Sequence, residues 1–324
     1  RQHEPKPERN LYGEIKVFCG SASRDLGHEI VQYLGLEPGD YDRIKFSNEN
    51  IFVQLKESVR GQDVYLVQTM ASPVSDNIME LLIMLDTFKR DSAGRTTAVI
   101  PYLSYARSDK KDQPRVPITA RLIADMIQIA GANRYITIDL HSGQIQGFFN
   151  IPGDVLTAFY LISDYLASKN IPNAIVVSTD LGYATRARNY ADRLGCPLAF
   201  VEKRRASNQE MPEVLALIGD VAGKNVILVD DEVNTGRSVA NAVRTVRALG
   251  AQDIYLAFTH PILSAGGVQQ LAELNLKEII TTNTVPLPPE KVLPNMTVLS
   301  VAPLLAEVII RAHEGRSVGV LFDE

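Results

Sequence analysis

The sequence predicts an α/β fold with largely parallel β-sheets. Short aliphatic runs alternate with amphipathic segments of helical spacing, which is typical of strands joined by crossover helices. The runs are residues 15–19, 64–67, 97–100, 135–138, 174–177, 198–201, 226–229, 254–258 and 298–301. Several contain only apolar residues, as expected for strands covered on both faces. Nine predicted strands are more than one open sheet normally holds in a chain of this length. We therefore predict two similar domains.

We place the domain boundary near residue 155, beside Gly153 and Asp154, because a break there divides the chain nearly evenly. The N-terminal domain then covers residues 12–155 and the C-terminal domain residues 156–302. The last segment, 303–324, contains a predicted helix over 304–313 and an apolar tail over 318–322. We expect this segment to pack back on the N-terminal domain. Residues 1–10 are polar, contain two prolines and are expected to fray.

Composition restricts the classes of partner. The formal net charge of −5 provides no overall basic field for nucleic acid or a membrane surface. Cys19 and Cys196 are too few for a disulfide framework or a metal cluster, so a reducing, cytoplasmic location is expected. Neither a signal peptide nor an apolar run of membrane-spanning length is visible in the sequence.

Residues 226–238, with the sequence VILVDDEVNTGRS, are the most informative segment. An aliphatic run is followed by Asp230 and Asp231 and then by a short polar turn at the predicted start of a helix. The N–H groups of residues 235–238, the hydroxyls of Thr235 and Ser238 and the helix dipole can hold a phosphate there. The two aspartates can hold the hydroxyls of an attached sugar, which predicts a site for ribose 5-phosphate. The alternative is a solvated strand end followed by an ordinary turn.

Polar residues follow other predicted strands, at the edge where open α/β sheets bind ligands. His141 and Asp180 could ligate a hard cation directly or through its waters. A histidine bonded to a backbone carbonyl is the alternative for His141. Two basic loops, residues 202–208 and 105–115, could meet a polyphosphate, although such charge clusters are often only solvated surface.

Five stretches resemble the phosphoribosyl diphosphate (PRPP) synthetases, also called ribose-phosphate pyrophosphokinases. The most specific is DLHSGQIQGFF at residues 139–149. The others are DNIMEL at 76–81, YAR at 105–107, KRR at 203–205 and the Asp-Asp…Thr-Gly segment above. The resemblance covers about residues 14–322. It implies two phosphoribosyltransferase-type (type I) domains and Mg²⁺-dependent transfer of diphosphate from ATP to ribose 5-phosphate, giving PRPP and AMP.

The resemblance also implies roles for the matched residues. The expected catalytic residues are Lys203, Arg205 and His141. The expected ATP-binding residues are Phe46, Asn48, Arg107, Ser108 and His141. The expected ribose 5-phosphate site consists of Asp230, Asp231, Asn234, Thr235, Gly236, Arg237 and Ser238. His141 and Asp180 are the expected metal-site residues.

The resemblance to the PRPP synthetases also implies how the chain assembles and how it is regulated. Members of the resembled family are commonly hexamers, so a homo-oligomer is expected here. In the phosphate-activated branch, phosphate or ADP binds between subunits as an effector. The positions that match this anion site are Ser58, Arg60, Arg115, Ser317 and Val318, whereas Gly319 replaces a common serine.

Several positions depart from the family's usual motifs: Asn50, Ser108, Tyr183, Asn234 and Arg237. Asn50 and Asn234 stand where a carboxylate is common, and Tyr183 places a ring where the backbone normally approaches the ligand. These changes leave two alternatives to the active synthetase. One is a non-catalytic paralogue that acts as a regulatory or scaffold subunit, and the other is an enzyme that uses a related ribosyl phosphate acceptor.

Overall fold

A computed structural model describes residues 11–179, 181–204 and 214–322. The chain divides into two compact units. The first comprises the chain up to Leu156 together with the segment from Ala302 onward, and the second comprises Thr157–Val301. Each unit contains a largely parallel sheet flanked by helices, which confirms the predicted α/β class.

The first unit contains a five-stranded sheet in which every neighbouring pair is parallel. In chain order the strands of this unit are β1 (Ile15–Cys19), β2 (Tyr41–Lys45), β3 (Ile51–Leu55), β4 (Asp63–Val67), β5 (Arg95–Ile100), β6 (Arg134–Ile138) and β7 (Gly153–Leu156). The sheet order is β1-β4-β5-β6-β7, while β2 and β3 form a separate antiparallel hairpin. The helices are α1 (Arg24–Leu34), α2 (Val74–Arg90) and α3 (Thr119–Ala130), with α8 (Ala302–Glu314) from the end of the chain.

The second unit contains a seven-stranded sheet. Its strands are β8 (Ala174–Ser178), β9 (Leu198–Arg204), β10 (Val214–Ile218), β11 (Asn225–Val233), β12 (Ile254–Pro261), β13 (Glu278–Thr282) and β14 (Met296–Leu299). Their order is β10-β9-β8-β11-β12-β13-β14, and only the β9–β10 pair among these described strands is antiparallel. The helices are α4 (Phe159–Ser168), α5 (Ala184–Leu194), α6 (Arg237–Ala248) and α7 (Gly267–Ala272).

Every predicted aliphatic run overlaps a strand, but the strands β2, β3, β7, β10 and β13 were not predicted. The hairpin strands β2 and β3 are rich in exposed and polar residues, so they lack a continuous apolar run. The predicted strand at 298–301 is shifted, because the strand ends at Leu299 and α8 begins at Ala302. Among the described residues, no helix is both long and apolar enough to cross a lipid bilayer.

The boundary expected near residue 155 lies in β7, and the two compact units divide at the end of that strand, between Leu156 and Thr157. Gly153 pairs with Tyr135 on β6, and a Cβ atom at Gly153 would lie 2.0 Å from the Tyr135 ring. Glycine at position 153 is therefore required by packing beneath this ring within the sheet.

The predicted helix at 304–313 corresponds to α8, which lies in the first unit. Its end is held by the buried carboxylate of Asp63 at the start of β4. Asp63 accepts a hydrogen bond of 2.8 Å from His313 and ion-pairs with Arg95 at 2.6 Å. Arg95 also donates to the carbonyl of Ala312 at 3.0 Å. These contacts, together with buried Leu305 and Ile309, join the end of the chain to the first sheet.

Candidate active site

The acidic segment lies within β11, not beyond its end as predicted. The strand continues to Val233, with Asp230 paired to Phe258 and Glu232 to His260 on β12. Sheet pairing uses only backbone groups, so acidic side chains do not stop it. Because successive strand residues point to opposite faces, Asp230 and Asp231 do not project together. Asp231 is only 4% exposed, whereas Asp230 is half-buried and more open to a ligand.

The carboxylate of Asp230 is oriented by Thr179. This threonine directly follows β8, the strand next to β11, and its Oγ1 donates to Asp230 Oδ2 at 2.6 Å. The other oxygen, Oδ1, accepts the N–H of Asp231 at 2.8 Å. Two hydrogen bonds therefore fix the carboxylate plane. Sequence reasoning missed Thr179, and Asp180, the candidate metal ligand beside it, lies outside the described residues.

The predicted phosphate loop connects β11 to α6, which begins at Arg237. Gly236 precedes the helix with φ 77°, a left-handed conformation that favours glycine, and it has no side chain to cap the helix. The N–H groups of the first helical turn can therefore face an anion. Thr235 is half-buried, while the side chains of Asn234, Arg237 and Ser238 are exposed at this helix start.

A second segment, residues 264–267, packs beneath the phosphate loop. Ser264 Oγ donates a close hydrogen bond to Asn234 Oδ1. A Cβ atom at Gly267 would lie 2.4 Å from the backbone oxygen of Asn234, so only glycine permits this approach. The sequence analysis missed both residues, and the Gly266-Gly267 pair after β12 was the available signal. The side-chain oxygen of Asn234 thus accepts a hydrogen bond from Ser264, and a carboxylate at this position could accept the same bond.

In the first unit, His141 lies just beyond β6 on an exposed turn. Asp139 initiates this turn with φ 43°, and its N–H donates to the carbonyl of Leu156 at 2.9 Å. Gln144, three residues after His141, donates to Asp109 at 2.7 Å. This bond joins the His141 segment to the loop of exposed Arg107, so the structure brings two of the predicted ATP-binding segments together.

Ser108 is engaged with the start of α3. Its Oγ accepts the N–H of Thr119 at 3.3 Å, and its carbonyl accepts the N–H of Ala120 at 3.1 Å. Hydroxyl groups commonly satisfy the unpaired N–H groups of a helix start in this way. Ser108, one of the departures from the resembled motifs, therefore stabilises the loop that carries Arg107.

The hairpin places Phe46 and Asn48 at its tip. The Phe46 ring is half exposed and lies 6.1 Å from the Phe52 ring, centroid to centroid. The N–H of Phe46 donates to the carbonyl of Asn50 at 2.9 Å, and Asn48 Oδ1 accepts the N–H of Asn50 at 3.2 Å. Asn50 thus closes the turn through its backbone, which any residue type could do.

Tyr183, whose ring is expected where the backbone normally approaches the ligand, is buried. The residue is 9% exposed, and the guanidinium of Arg186 lies 5.7 Å from the ring centroid. The ring is therefore packed at the start of α5. Lys203 lies on β9, although its side chain is outside the described part of the structure, as is the whole of Arg205.

Two of the predicted anion-site residues share one turn. The N–H of Arg60 donates to Ser58 Oγ at 3.3 Å, and Arg60 Nη1 donates to Ser92 Oγ at 3.2 Å. Near the chain end, the carbonyl of Ser317 accepts from Arg311 at 3.0 Å, and that of Val318 accepts the N–H of Leu321 at 3.0 Å. Arg115 is exposed on its loop, with φ 65°.

A fixed carboxylate beside a helix start, at the carboxyl ends of parallel strands, is an arrangement suited to a sugar phosphate. We therefore classify the chain as an α/β protein whose second unit is suited to binding phosphorylated sugars.

Comparison with known proteins identifies the family. Residues 15–131 match the N-terminal domain of ribose phosphate pyrophosphokinase, and residues 205–323 match the phosphoribosyl synthetase-associated domain. The chain is 48% identical to a ribose-phosphate pyrophosphokinase of Wolinella succinogenes, over 95% of this chain and 98% of that protein. It is 45% identical to one of Oceanobacillus iheyensis, over 95% and 97%. A crystal structure of phosphoribosylpyrophosphate synthetase from Mycobacterium smegmatis aligns with TM-score 0.89 and 41% identity, covering 94% of this chain and 100% of that chain. The chain belongs to the ribose-phosphate pyrophosphokinase family.

Proposed function

We propose that this chain transfers the β,γ-diphosphate of ATP to the anomeric hydroxyl of ribose 5-phosphate, releasing AMP and PRPP. The observation that carries the proposal is the Asp230 carboxylate, fixed by Thr179 beside the phosphate loop. Membership of the ribose-phosphate pyrophosphokinase family supports the same reaction. No comparison favours a scaffold subunit or a different acceptor.

The acceptor is held by the second unit. N–H groups of residues 235–238 and the hydroxyls of Thr235 and Ser238 bind the 5-phosphate, and Arg237 adds a positive charge beside it. Asp230 accepts hydrogen bonds from ribose hydroxyls, while Asp231 on the opposite face supports the strand end. Gly236 allows the close approach of the loop, and Asn234 holds it to Ser264. Together, the contacts to the 5-phosphate and to the ribose hydroxyls orient the anomeric oxygen.

The nucleotide is held by residues of the first unit. Phe46 and Asn48 contact adenine at the hairpin tip, and Arg107 and His141 bind the phosphates, with Ser108 supporting the Arg107 loop. The anomeric oxygen bonds to the β-phosphorus, the bond from that phosphorus to the α,β-bridging oxygen breaks, and the hydroxyl proton is lost to solvent. Lys203 and Arg205 neutralise the charge that develops on the transferring phosphates.

The reaction is proposed to use Mg²⁺. Among the described residues, no group of three or more histidine, cysteine or acidic side chains converges as a ready-made metal site. Hard carboxylate oxygens are nonetheless present at Asp230, and His141 and Asp180 are the further candidates that the family resemblance implies. These donors fit Mg²⁺, which is usually held by one or two carboxylates with water and substrate phosphates. When bound, the ion would neutralise phosphate charge and orient the diphosphate.

We also propose a cytoplasmic homo-oligomer, a hexamer by family likeness, regulated by phosphate or ADP. The proposed effector site consists of Ser58, Arg60, Arg115, Ser317 and Val318. The pairing of Arg60 with Ser58 and Ser92 supports a polar anion site at this turn. Solution scattering with and without phosphate tests the assembly, and a monomer under both conditions contradicts it.

The function is tested by incubating the purified chain with ATP, Mg²⁺ and ribose 5-phosphate and measuring AMP and PRPP. Both products should form in equal amounts and only when all three components are present. Absence of AMP at saturating substrate, with and without phosphate, overturns the proposal. Formation of ADP without PRPP would show simple ATP hydrolysis.

A further inference from the structure

The β2–β3 hairpin lies against α2 through one of its two faces. Tyr41, Arg43 and Lys45 alternate on this inward face of β2, and Val53 on β3 packs in the core of the first unit. Tyr41 also donates to the carbonyl of Cys19 at 2.8 Å. Because the hairpin forms a sheet of its own, its position depends on such side-chain contacts.

Two ion pairs connect this face to α2. Glu80 and Asp76 lie one helical turn apart on α2. Glu80 accepts a hydrogen bond from Arg43 at 2.9 Å, and Asp76 accepts one from Lys45 at 2.7 Å. The side chain of Glu80 is 0% exposed and that of Arg43 is 23% exposed, whereas Lys45 and Asp76 are each about one-third exposed. The inner pair is therefore less screened by salt than the outer pair.

Glu80 holds a third element as well. Its Oε1 accepts the N–H of Ser21, on the loop after β1, at 2.8 Å, while Oε2 accepts from Arg43. Each oxygen of one buried carboxylate thus joins α2 to a different element. Because the Glu80 side chain is 0% exposed, removal of one partner leaves a buried charge with less compensation than at an exposed pair.

The inner pair is close to the hairpin tip. Arg43 precedes Phe46 by three residues, and the ladder from Arg43 to Lys45 leads directly into the Phe46–Asn50 turn. A displacement at Arg43 is therefore transmitted to Phe46 and Asn48. We propose that Glu80 and Arg43 are positioning residues that set the hairpin tip for purine recognition, an inference that rests on the proposed function.

The test compares Arg43→Gln, Arg43→Lys and Glu80→Gln with wild type. Arg43→Gln should raise the KM for ATP roughly 10-fold and lower the ATP-over-GTP preference in kcat/KM, with kcat and the KM for ribose 5-phosphate within about twofold. Arg43→Lys, which keeps the charge, should recover most of the loss. Glu80→Gln should follow Arg43→Gln if it folds. The matched control is Arg134→Gln, because Arg134 is 24% exposed and pairs with Asp154 at 2.7 Å away from the hairpin.

If the role were merely structural, Arg43→Gln and the control would both lower thermal stability. Each would also lower kcat/KM for ATP and for ribose 5-phosphate to a similar extent. That result, or an unchanged KM for ATP and unchanged purine preference, overturns the inference. If wild type forms no AMP, the proposed function fails, and binding of trinitrophenyl-ATP then decides the inference separately. Weaker binding by Arg43→Gln but not by Arg134→Gln supports positioning, whereas equal binding, or no binding by wild type, refutes it.

Discussion

Thr179 Oγ1 donates a 2.6 Å hydrogen bond to Oδ2 of Asp230, which joins the end of β8 to the adjacent parallel strand β11. Thr179→Val keeps the shape of the buried residue but removes this donor. The Asp230 carboxylate should then lose its fixed orientation, and the KM for ribose 5-phosphate should rise by roughly 10-fold or more, as expected for one hydrogen bond to a charged group. Steady-state kinetics measure this. Thr245→Val, whose hydroxyl bonds only to the Asn241 carbonyl among its described contacts, is the control and should not change the KM.

The close approach of Gly267 to the phosphate loop makes a second prediction. Gly267→Ala places a methyl group 2.4 Å from the backbone oxygen of Asn234, so the loop must move. We expect at least a roughly 10-fold fall in kcat/KM for ribose 5-phosphate and a lower Tm. Gly147→Ala, where a Cβ atom meets open space, is the matched control. Equal kinetics for the two variants would show that the loop accommodates the methyl group.

The composition of the phosphate loop can be tested by restoring the usual family pattern. Asn234→Asp with Arg237→Gly returns the carboxylate, which can still accept from Ser264, and removes the added cation. If this loop limits the use of ribose 5-phosphate, kcat/KM should rise roughly 10-fold. Arg244→Ala, farther along α6, controls for loss of positive charge. Unaltered constants in the double variant would mean that the loop does not distinguish this chain.

Lys203→Ala should lower kcat by about 10²-fold or more, because a charge directed at the transition state affects the rate more than substrate binding. The KM values and the far-ultraviolet circular dichroism spectrum should change little. Lys224→Ala is the control, since Lys224 pairs with Asp220 at the surface of the same unit. A normal kcat with a raised KM would instead assign Lys203 to ground-state binding.

Glu278 makes stability depend on acid pH. Burial raises its pKa, but hydrogen bonds from Tyr165, Thr297 and Lys169 and the charge of Lys169 outweigh burial, so the pKa is lowered from 4.5. The stabilisation is therefore present above about pH 4.5 and is lost as pH falls through the lower folded-state pKa. Glu278→Gln should lower Tm at pH 7 by a few degrees, and the wild-type and variant curves should converge at lower pH. The control is Glu273→Gln at an exposed position, and its Tm should equal that of wild type at each pH when measured by calorimetry.

Sequence patterns were sufficient to predict those elements that depend on residues close together in the chain. Buried parallel strands require apolar runs and helix starts require particular turns, so the alternation of elements and the α6 start with its preceding turn were predictable. The hairpin strands were not, because β2 and β3 expose polar residues and are stabilised by distant partners such as Glu80. The packing role of Gly153 was not predictable for a related reason, since its partner Tyr135 lies in another strand.

The sequence by itself determined the α/β class, the acidic segment followed by the loop proposed to bind phosphate, and the motifs that resemble the pyrophosphokinases. Only the tertiary structure decided that Asp230 and Asp231 face opposite ways, that Thr179 orients one of them, and that Ser264 and Gly267 lie beneath the loop. It also placed the Tyr183 ring in the interior. The physical reason is that side-chain direction and contact depend on strand register and packing between residues far apart in the chain, which local spacing does not encode.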